Sequence, residues 1–175
     1  TGMTTAGRAI GIGFQAQQVG AAQGIGIGDR AASLFQGVHA IAIGSTAGSS
    51  TQGEYCIAIG RIAGQVLQGS QAVAIGFNAG ANNQRSNSVA IGNTCGQFSQ
   101  GGNSVAIGNT SGYTGQGVAA IAIGNSSGYA TQGNNCVAIG NTAGAFKQDS
   151  GAVAIGLNAG YGTQGGSCVA VGDTA

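Results

Sequence analysis

The side chains that could perform acid–base or nucleophilic chemistry are few and scattered. The chain of 175 residues has one histidine, His39, and no acidic residue stands beside it in the sequence. The four acidic residues are Asp29, Glu54, Asp149 and Asp173. Serines and threonines are numerous, but none has a base next to it. A catalytic centre needs converging groups, so the sequence predicts that the protein is not an enzyme and offers no catalytic residue.

Metal and cofactor sites are equally unsupported. The chain has three aspartates in total, whereas calcium-binding β-rolls carry an aspartate in every repeat. The cysteines, Cys56, Cys95, Cys136 and Cys168, lack the close pairs of a zinc site. We therefore expect no metal and no cofactor.

Low charge excludes other classes of function. Five basic and four acidic residues give a net charge of +1. No basic face is present to neutralise phosphates, so nucleic acid is not an expected partner. No apolar run approaches the ~20 residues that span a bilayer, so we expect no membrane insertion by this segment.

A short block, V-A-I-G or I-A-I-G, recurs along the chain and organises it. The blocks close on Gly13, Gly28, Gly44, Gly60, Gly76, Gly92, Gly108, Gly124, Gly140, Gly156 and Gly172. The first step is 15 residues and the other nine are 16. A fixed short period decides the architecture before local propensity does.

The repeat predicts an all-β fold, a parallel β-solenoid with 16-residue coils. Sixteen residues are too few for a helical repeat, which needs about 30, and the alternation within the block has the period of a strand. We number positions in a coil from its closing glycine, position 0. One strand is expected at positions 12 to 15 and another within positions 3 to 8. Residues 29–175 would form one continuous domain within a longer fibre, and residues 1–28 irregular first coils or an N-terminal cap.

Each predicted strand has two faces, because side chains alternate along it. We expect the larger face, at positions 13 and 15, to lie inside the coil; it includes Val105, Ile107, Val137 and Ile139. The small residues at positions 12 and 14 would then form a flat outer stripe that another chain could approach closely. The candidate subunit interface is Ala106, Ala122, Ala138, Ser104 and Cys136.

Stacked coils would also keep the cysteines apart. Cys136 and Cys168 are two coils apart, about 9.6 Å at the spacing of paired strands. A disulfide needs Cα atoms within about 7 Å. We expect four free thiols in one chain.

Three further rows follow the repeat. Position 8 is a predicted structural ladder of glutamines: Gln36, Gln52, Gln68, Gln84, Gln100, Gln116, Gln132, Gln148 and Gln164. Position 1 carries Asn93, Asn109, Asn125 and Asn141, and positions 5 and 6 carry Tyr113, Tyr129, Tyr161, Phe98 and Phe146. Asn in a turn mostly serves its own backbone. The aromatic residues are candidate contacts for glycan or protein, or for a neighbouring subunit.

The blocks at 88–94 and 104–110, both S-V-A-I-G-N-T, resemble the S-V-A-I-G-x-x repeat of YadA-type trimeric autotransporter adhesin heads, similar repeats of which occur in viral and phage fibre proteins. The resemblance covers residues 10–175. It implies a left-handed parallel β-roll and a side-by-side homotrimer that binds a host. The period of 16 departs from the family's usual 14.

The function expected from these features is a structural or adhesive fibre module on a virion surface or at the cell surface. It would attach to a host glycan or protein. Free thiols favour a virion protein assembled in the cytosol over an exported adhesin. One alternative is an ice-binding β-solenoid, because a threonine row on a flat face could order water; another is a subunit of a self-assembling extracellular filament.

Overall fold

The computed structural model describes residues 8–16 and 23–175. Within these residues the protein is all β, without helix. The strands, numbered in chain order, are β1 Ile10–Ile12, β2 Ile25–Ile27, β3 Ile41–Ile43, β4 Ile57–Ile59, β5 Val66–Gln68, β6 Val73–Ile75, β7 Asn82–Gln84, β8 Val89–Ile91, β9 Phe98–Gln100, β10 Val105–Ile107, β11 Thr114–Gln116, β12 Ile121–Ile123, β13 Thr131–Gln132, β14 Val137–Ile139, β15 Lys147–Gln148, β16 Val153–Ile155, β17 Thr163–Gln164 and β18 Val169–Val171.

The strands form two parallel sheets that run along the rod. The Val/Ile sheet has 11 strands: β1 to β4 and then the even-numbered strands to β18. The Gln sheet has seven, the odd-numbered strands from β5 to β17. Equivalent residues of successive coils pair, as in Val105 with Ile121 and Gln116 with Gln132. The predicted parallel β-solenoid with 16-residue spacing is confirmed, and the predicted second strand of each coil is present from Val66 to Gln164.

The first coils join the same sheet. Strand β1 pairs with β2 one 15-residue step later, and β2 pairs with β3 at the regular step of 16. Residues 1–7 and 17–22 of the predicted cap lie outside the described residues.

The predicted orientation of the strand faces is wrong. The small residues point into the coil: Ala106, Ala122, Ala138, Ser104 and Cys136 are all fully buried within one chain. They cannot form a subunit interface. Val105, Ile107, Val137 and Ile139 are instead half-buried on the outer face of the Val/Ile sheet. Across most of this sheet the burial pattern of a strand is half-buried, buried, half-buried.

The reason is the width of the coil. A Cβ placed on Gly112 would lie 3.2 Å from the Ala106 Cβ and 3.0 Å from the Gln116 Oε1. Gly112 also has a φ of +53°, in the left-handed region where glycine carries no steric penalty. In each regular coil the lumen therefore holds one glutamine side chain, and the residues beside it are no larger than alanine, serine or cysteine. Isoleucine does not fit there, so the branched residues lie outside.

We predict that Ala106→Leu destabilises the rod by roughly 1–3 kcal/mol or more, because it overpacks a filled lumen. The matched control is Ala130→Leu, which makes the same change at a half-buried position outside the Val/Ile sheet, where the adjacent coils carry Thr114 and Phe146; it should change the free energy of unfolding by about 0.5 kcal/mol. Urea unfolding followed by circular dichroism measures both. A loss from Ala130→Leu as large as that from Ala106→Leu would contradict the inward orientation of Ala106.

Candidate functional site

The row of glutamines at position 8 lies inside the coil and joins the two sheets. All nine side chains are buried, with at most 6% of any of them exposed. Each amide nitrogen donates to the carbonyl of the residue 11 positions earlier, in the Val/Ile sheet; the Gln116 Nε2, for example, lies 2.8 Å from the Val105 oxygen. Each glutamine thus forms a cross-brace, meaning a side-chain hydrogen bond across the lumen to the Val/Ile sheet. The buried glutamines are not accessible to a partner.

Glutamines of successive coils also bond to each other, in separate runs. The longest run is a chain of donors from Gln116 to Gln132, Gln148 and Gln164, at 3.2, 3.1 and 2.9 Å. Shorter pairs join Gln36 to Gln52 and Gln68 to Gln84. Within each run the glutamines therefore couple successive coils as well as closing each coil.

The predicted aromatic row is on the surface and forms two clusters. Tyr113 and Tyr129 stack with ring centroids 5.1 Å apart and planes 3° apart, and Phe98 meets Tyr113 edge-on at 5.4 Å. Phe146 meets Tyr161 edge-on at 4.9 Å. Such pairs each contribute about 0.5–1.5 kcal/mol beyond the area that they bury. The ring pairs therefore stabilise the contact between successive coils, and the outer edges of the clusters remain exposed.

A shallow cleft separates the two aromatic clusters. Position 5 is Ala145 in the coil between Tyr129 and Tyr161, so one place in the tyrosine row is vacant. The cleft has a volume of about 200 Å³, with Ser126 and Thr142 adding hydroxyl groups to its lining. Of the predicted aromatic contacts, Tyr129, Phe146 and Tyr161 therefore line this depression, whereas Phe98 and Tyr113 lie outside it.

The asparagines at position 1 are exposed, as a row of turn residues. The Asn109 Nδ2 donates to the Asn125 Oδ1 at 3.4 Å, and Asn93 and Asn141 continue the row. Most of the adjacent hydroxyls at position 2 are occupied: the Thr110 Oγ1 lies 2.8 Å from the Asn109 oxygen and 2.9 Å from the Ser126 Oγ. The Thr142 hydroxyl similarly donates to the Asn141 carbonyl and bonds Asn158. The buried Thr94 Oγ1 has no hydrogen-bond partner among the described residues. This polar edge is therefore ordered mainly by hydrogen bonds among its own side chains and backbone carbonyls.

The position of the Val/Ile face on the surface was not predicted from the sequence. It consists of the outward side chains at positions 13 and 15 of the Val/Ile sheet, all of them valine or isoleucine. Ile59 and Ile155 are 36% and 37% exposed. The signal that could have found it is the number of small residues per coil: positions 3, 12 and 14 together mark the inside, which leaves 13 and 15 outside.

Three of the four cysteines are lumen residues. Cys56, Cys95 and Cys136 are buried and Cys168 is exposed, and all four are free. The Cys95 Sγ donates to the Gly108 carbonyl at 2.7 Å. Burial raises the pKa of Cys56, and it raises the pKa of Cys95 to about 11, against 9.0 for an ordinary thiol. These thiols are therefore protonated and act as small core residues.

The one histidine lies against an aromatic ring, and no metal-binding cluster forms among the described residues. His39 stacks on the Tyr55 ring at 5.2 Å. Residues 8–16 and 23–175 contain no group of three histidine, cysteine or acidic side chains that could hold a metal ion. None of these residues belongs to a helix of the length and apolarity needed to cross a membrane.

We predict that Gln132→Leu lowers the free energy of unfolding by about 1–3 kcal/mol, because it leaves buried polar groups unpaired. The amide of Gln132 donates to the Ile121 carbonyl at 2.8 Å and to Gln148. Gln97→Leu makes the same change at a half-buried outer position and should alter stability by about 0.5 kcal/mol or less. Equal effects in urea unfolding would mean that the cross-brace is not what stabilises the coil.

The raised pKa of Cys95 predicts a loss of stability at high pH. Above pH 9 the unfolded chain releases a proton that the folded chain keeps until about pH 11. The free energy of unfolding should therefore fall between these values, by about 1.4 kcal/mol per pH unit for this thiol. Cys95→Ser places at this position the residue found in the next coil at Ser111, which donates to the Ala122 carbonyl. The difference between wild type and variant in urea unfolding should follow this slope; parallel pH profiles would contradict it.

Comparison with known proteins does not place the chain in a family. Family models, curated proteins and solved structures all give no match. The surfaces described above are therefore the basis on which a function can be inferred.

Proposed function

We propose that this protein is a rigid structural and adhesive fibre module on a virion or cell surface, and that three copies associate side by side through the Val/Ile face. The observation that carries the proposal is the continuous outward face of valine and isoleucine at positions 13 and 15. The resemblance of the repeat to trimeric adhesin heads supports the number of chains.

The shape of the chain suits a spacer. Eleven strands stacked in parallel make ten steps of about 4.8 Å, a length of roughly 48 Å. Each regular coil is closed internally by its glutamine and bonded to the next by the backbone, and within the runs of bonded glutamines also by side chains. Such a rod resists bending, because deformation would break the same bonds in every coil.

The Val/Ile face has the chemistry of an interface and supplies part of the area that an interface needs. Three residues per strand give a width of about 10 Å, so the face covers roughly 500 Å². The largest apolar patch on a typical monomer is about 300–600 Å². Positions 13 and 15 hold no charged or polar residue in any strand of the sheet. A standard interface buries about 800 Å² per partner, which residues flanking the face would complete.

The aromatic clusters suit the adhesive role. They stand at positions 5 and 6, outside the Val/Ile face, so association through that face leaves Tyr129, Phe146 and Tyr161 accessible. Exposed aromatic rings with adjacent hydroxyls are suited to glycan or protein contacts.

The ice-binding alternative depends on the threonine row, and the geometry of that row disfavours it. Hydroxyls of Thr46, Thr110 and Thr142 donate to the backbone carbonyl of the preceding residue. Ile62, Asn78, Ser126 and Asn158 interrupt the row. Hydroxyls engaged within the chain are less free to order water in a lattice.

Light scattering tests the assembly. Wild type should run as a trimer at micromolar concentration, and Ile123→Arg should yield folded monomers, because a charge cannot be buried in an apolar interface without a partner. Thr131→Arg adds the same charge at an exposed position of β13 in the Gln sheet and should leave the trimer intact.

Each of the other possible outcomes would contradict a specific part of the proposal. A monomeric wild type that inhibits ice recrystallisation would favour the ice-binding alternative. Particles that grow without limit with concentration would favour the filament subunit. A trimer that survives Ile123→Arg but not Thr131→Arg would move the interface to the Gln sheet.

A further inference from the structure

Arg85 interrupts a row of glycines and stands alone on the rod. Position 9 is glycine in the coils below and above it, at Gly69 and Gly101, so neither neighbour offers a side chain. A Cβ placed on Gly102 would lie 3.4 Å from the Ser86 oxygen and 3.9 Å from the Arg85 Cβ, both ordinary contact distances, so the space that a side chain would fill there is open beside the arginine stem. The Arg85 side chain is exposed. The departure from the repeat therefore creates both a cation and a hollow next to it.

The charge of Arg85 is not neutralised by the described residues. Arg30 pairs with Asp29 at 3.4 Å, Lys147 pairs with Asp149 at 3.1 Å, and Arg61 lies over the Phe77 ring. No carboxylate in residues 8–16 and 23–175 lies within ion-pair distance of Arg85. In a chain with so few charges, a guanidinium without an acidic partner is available to an anion from solution.

This open space is part of a groove of about 540 Å³. Three asparagines, Asn83, Asn87 and Asn103, line it together with Leu67 and Val118. An adjoining depression of about 220 Å³ shares Asn83, Arg85 and Val118. All three asparagines are held in left-handed backbone, with φ of 56° to 59°, and are exposed. The groove thus combines one cation, several amide groups and two apolar side chains.

We propose that this groove binds a carboxylated sugar, such as a uronic acid unit of an acidic glycan. A guanidinium forms paired hydrogen bonds with a carboxylate. Asparagine amides both donate and accept, which matches the hydroxyls of a sugar ring. Leu67 is 54% exposed and Val118 39% exposed, and they offer contacts to the C–H face of the ring. A single arginine suits one carboxylate better than the repeated charges of a nucleic acid.

The groove is compatible with the proposed assembly. None of its lining residues belongs to the Val/Ile face. The inference rests on the proposed function, because it names the chemistry of the receptor. A trimer that does not bind acidic sugars would overturn this inference alone, whereas a monomer that binds them would overturn only the proposed trimer.

The test is a nuclear magnetic resonance titration of the whole chain, with glucuronic acid and glucose as probes that differ by the carboxylate. Glucuronic acid should shift the amide signals of Gly69, Gly101 and Gly102 in a saturable manner, and glucose should shift them much less. Arg85→Gln should weaken glucuronic acid binding roughly threefold to tenfold. Arg61→Gln removes the same charge beside Phe77 and should leave the affinity within about twofold, because long-range charge effects are screened by salt.

Two further measurements test whether the groove recognises a sugar and not only an anion, and whether the asparagine amides contribute to binding in addition to Arg85. Inorganic sulfate should bind more weakly than glucuronic acid. Asn87→Gly, which keeps a residue tolerant of left-handed backbone, should weaken glucuronic acid binding without abolishing it. Equal shifts with glucose, equal loss in Arg61→Gln, or sulfate binding as tight as that of glucuronic acid would each overturn the proposal.

Discussion

A buried amide hydrogen bond between the two sheets sets the dimensions of this rod. In every regular coil the glutamine at position 8 reaches across the lumen to a backbone carbonyl of the Val/Ile sheet, as Gln132 does to Ile121 at 2.8 Å. An unpaired buried amide costs about 1–3 kcal/mol, so the separation of the sheets is held to the reach of this side chain. The remaining space admits only small residues, and the glycine at position 4 is required where the glutamine passes.

The same constraint determines what the outside of the rod offers. Because alanine, serine and cysteine fill the lumen, the valines and isoleucines of the alternating strand must face outward. Repetition then turns one pair of branched residues into a continuous apolar surface along the Val/Ile sheet. The surface that we propose for assembly is therefore a consequence of internal packing, and its flatness follows from the constant length of the coil.

The period, the strand positions and the parallel stacking could be predicted from the sequence, because glycine and alternation recur in register. The period alone could not identify the inward face, because a period of two separates the faces without saying which one is buried; the small residues at positions 3, 12 and 14, counted together, carried that information. Size was a misleading guide: Ile107 is larger than Ala106, but the lumen is already occupied by Gln116. The aromatic and asparagine rows were correctly expected to be surface residues, whereas the groove at Arg85 depends on which glycines surround it in three dimensions.

Positions inside the coil and positions outside it are under different physical constraints, and this bears on where specificity can reside. At positions 3, 8, 12 and 14 a substitution alters the lumen of its own coil and the bonds to the next one. At positions 5, 6 and 9 the residue type varies widely, as Tyr113, Ala145 and Arg85 show, and the Gln sheet still continues from coil to coil. Recognition by such a rod is therefore expected where the outer residues depart from their repeat, as they do at the vacant place beside Ala145 and at the isolated charge of Arg85.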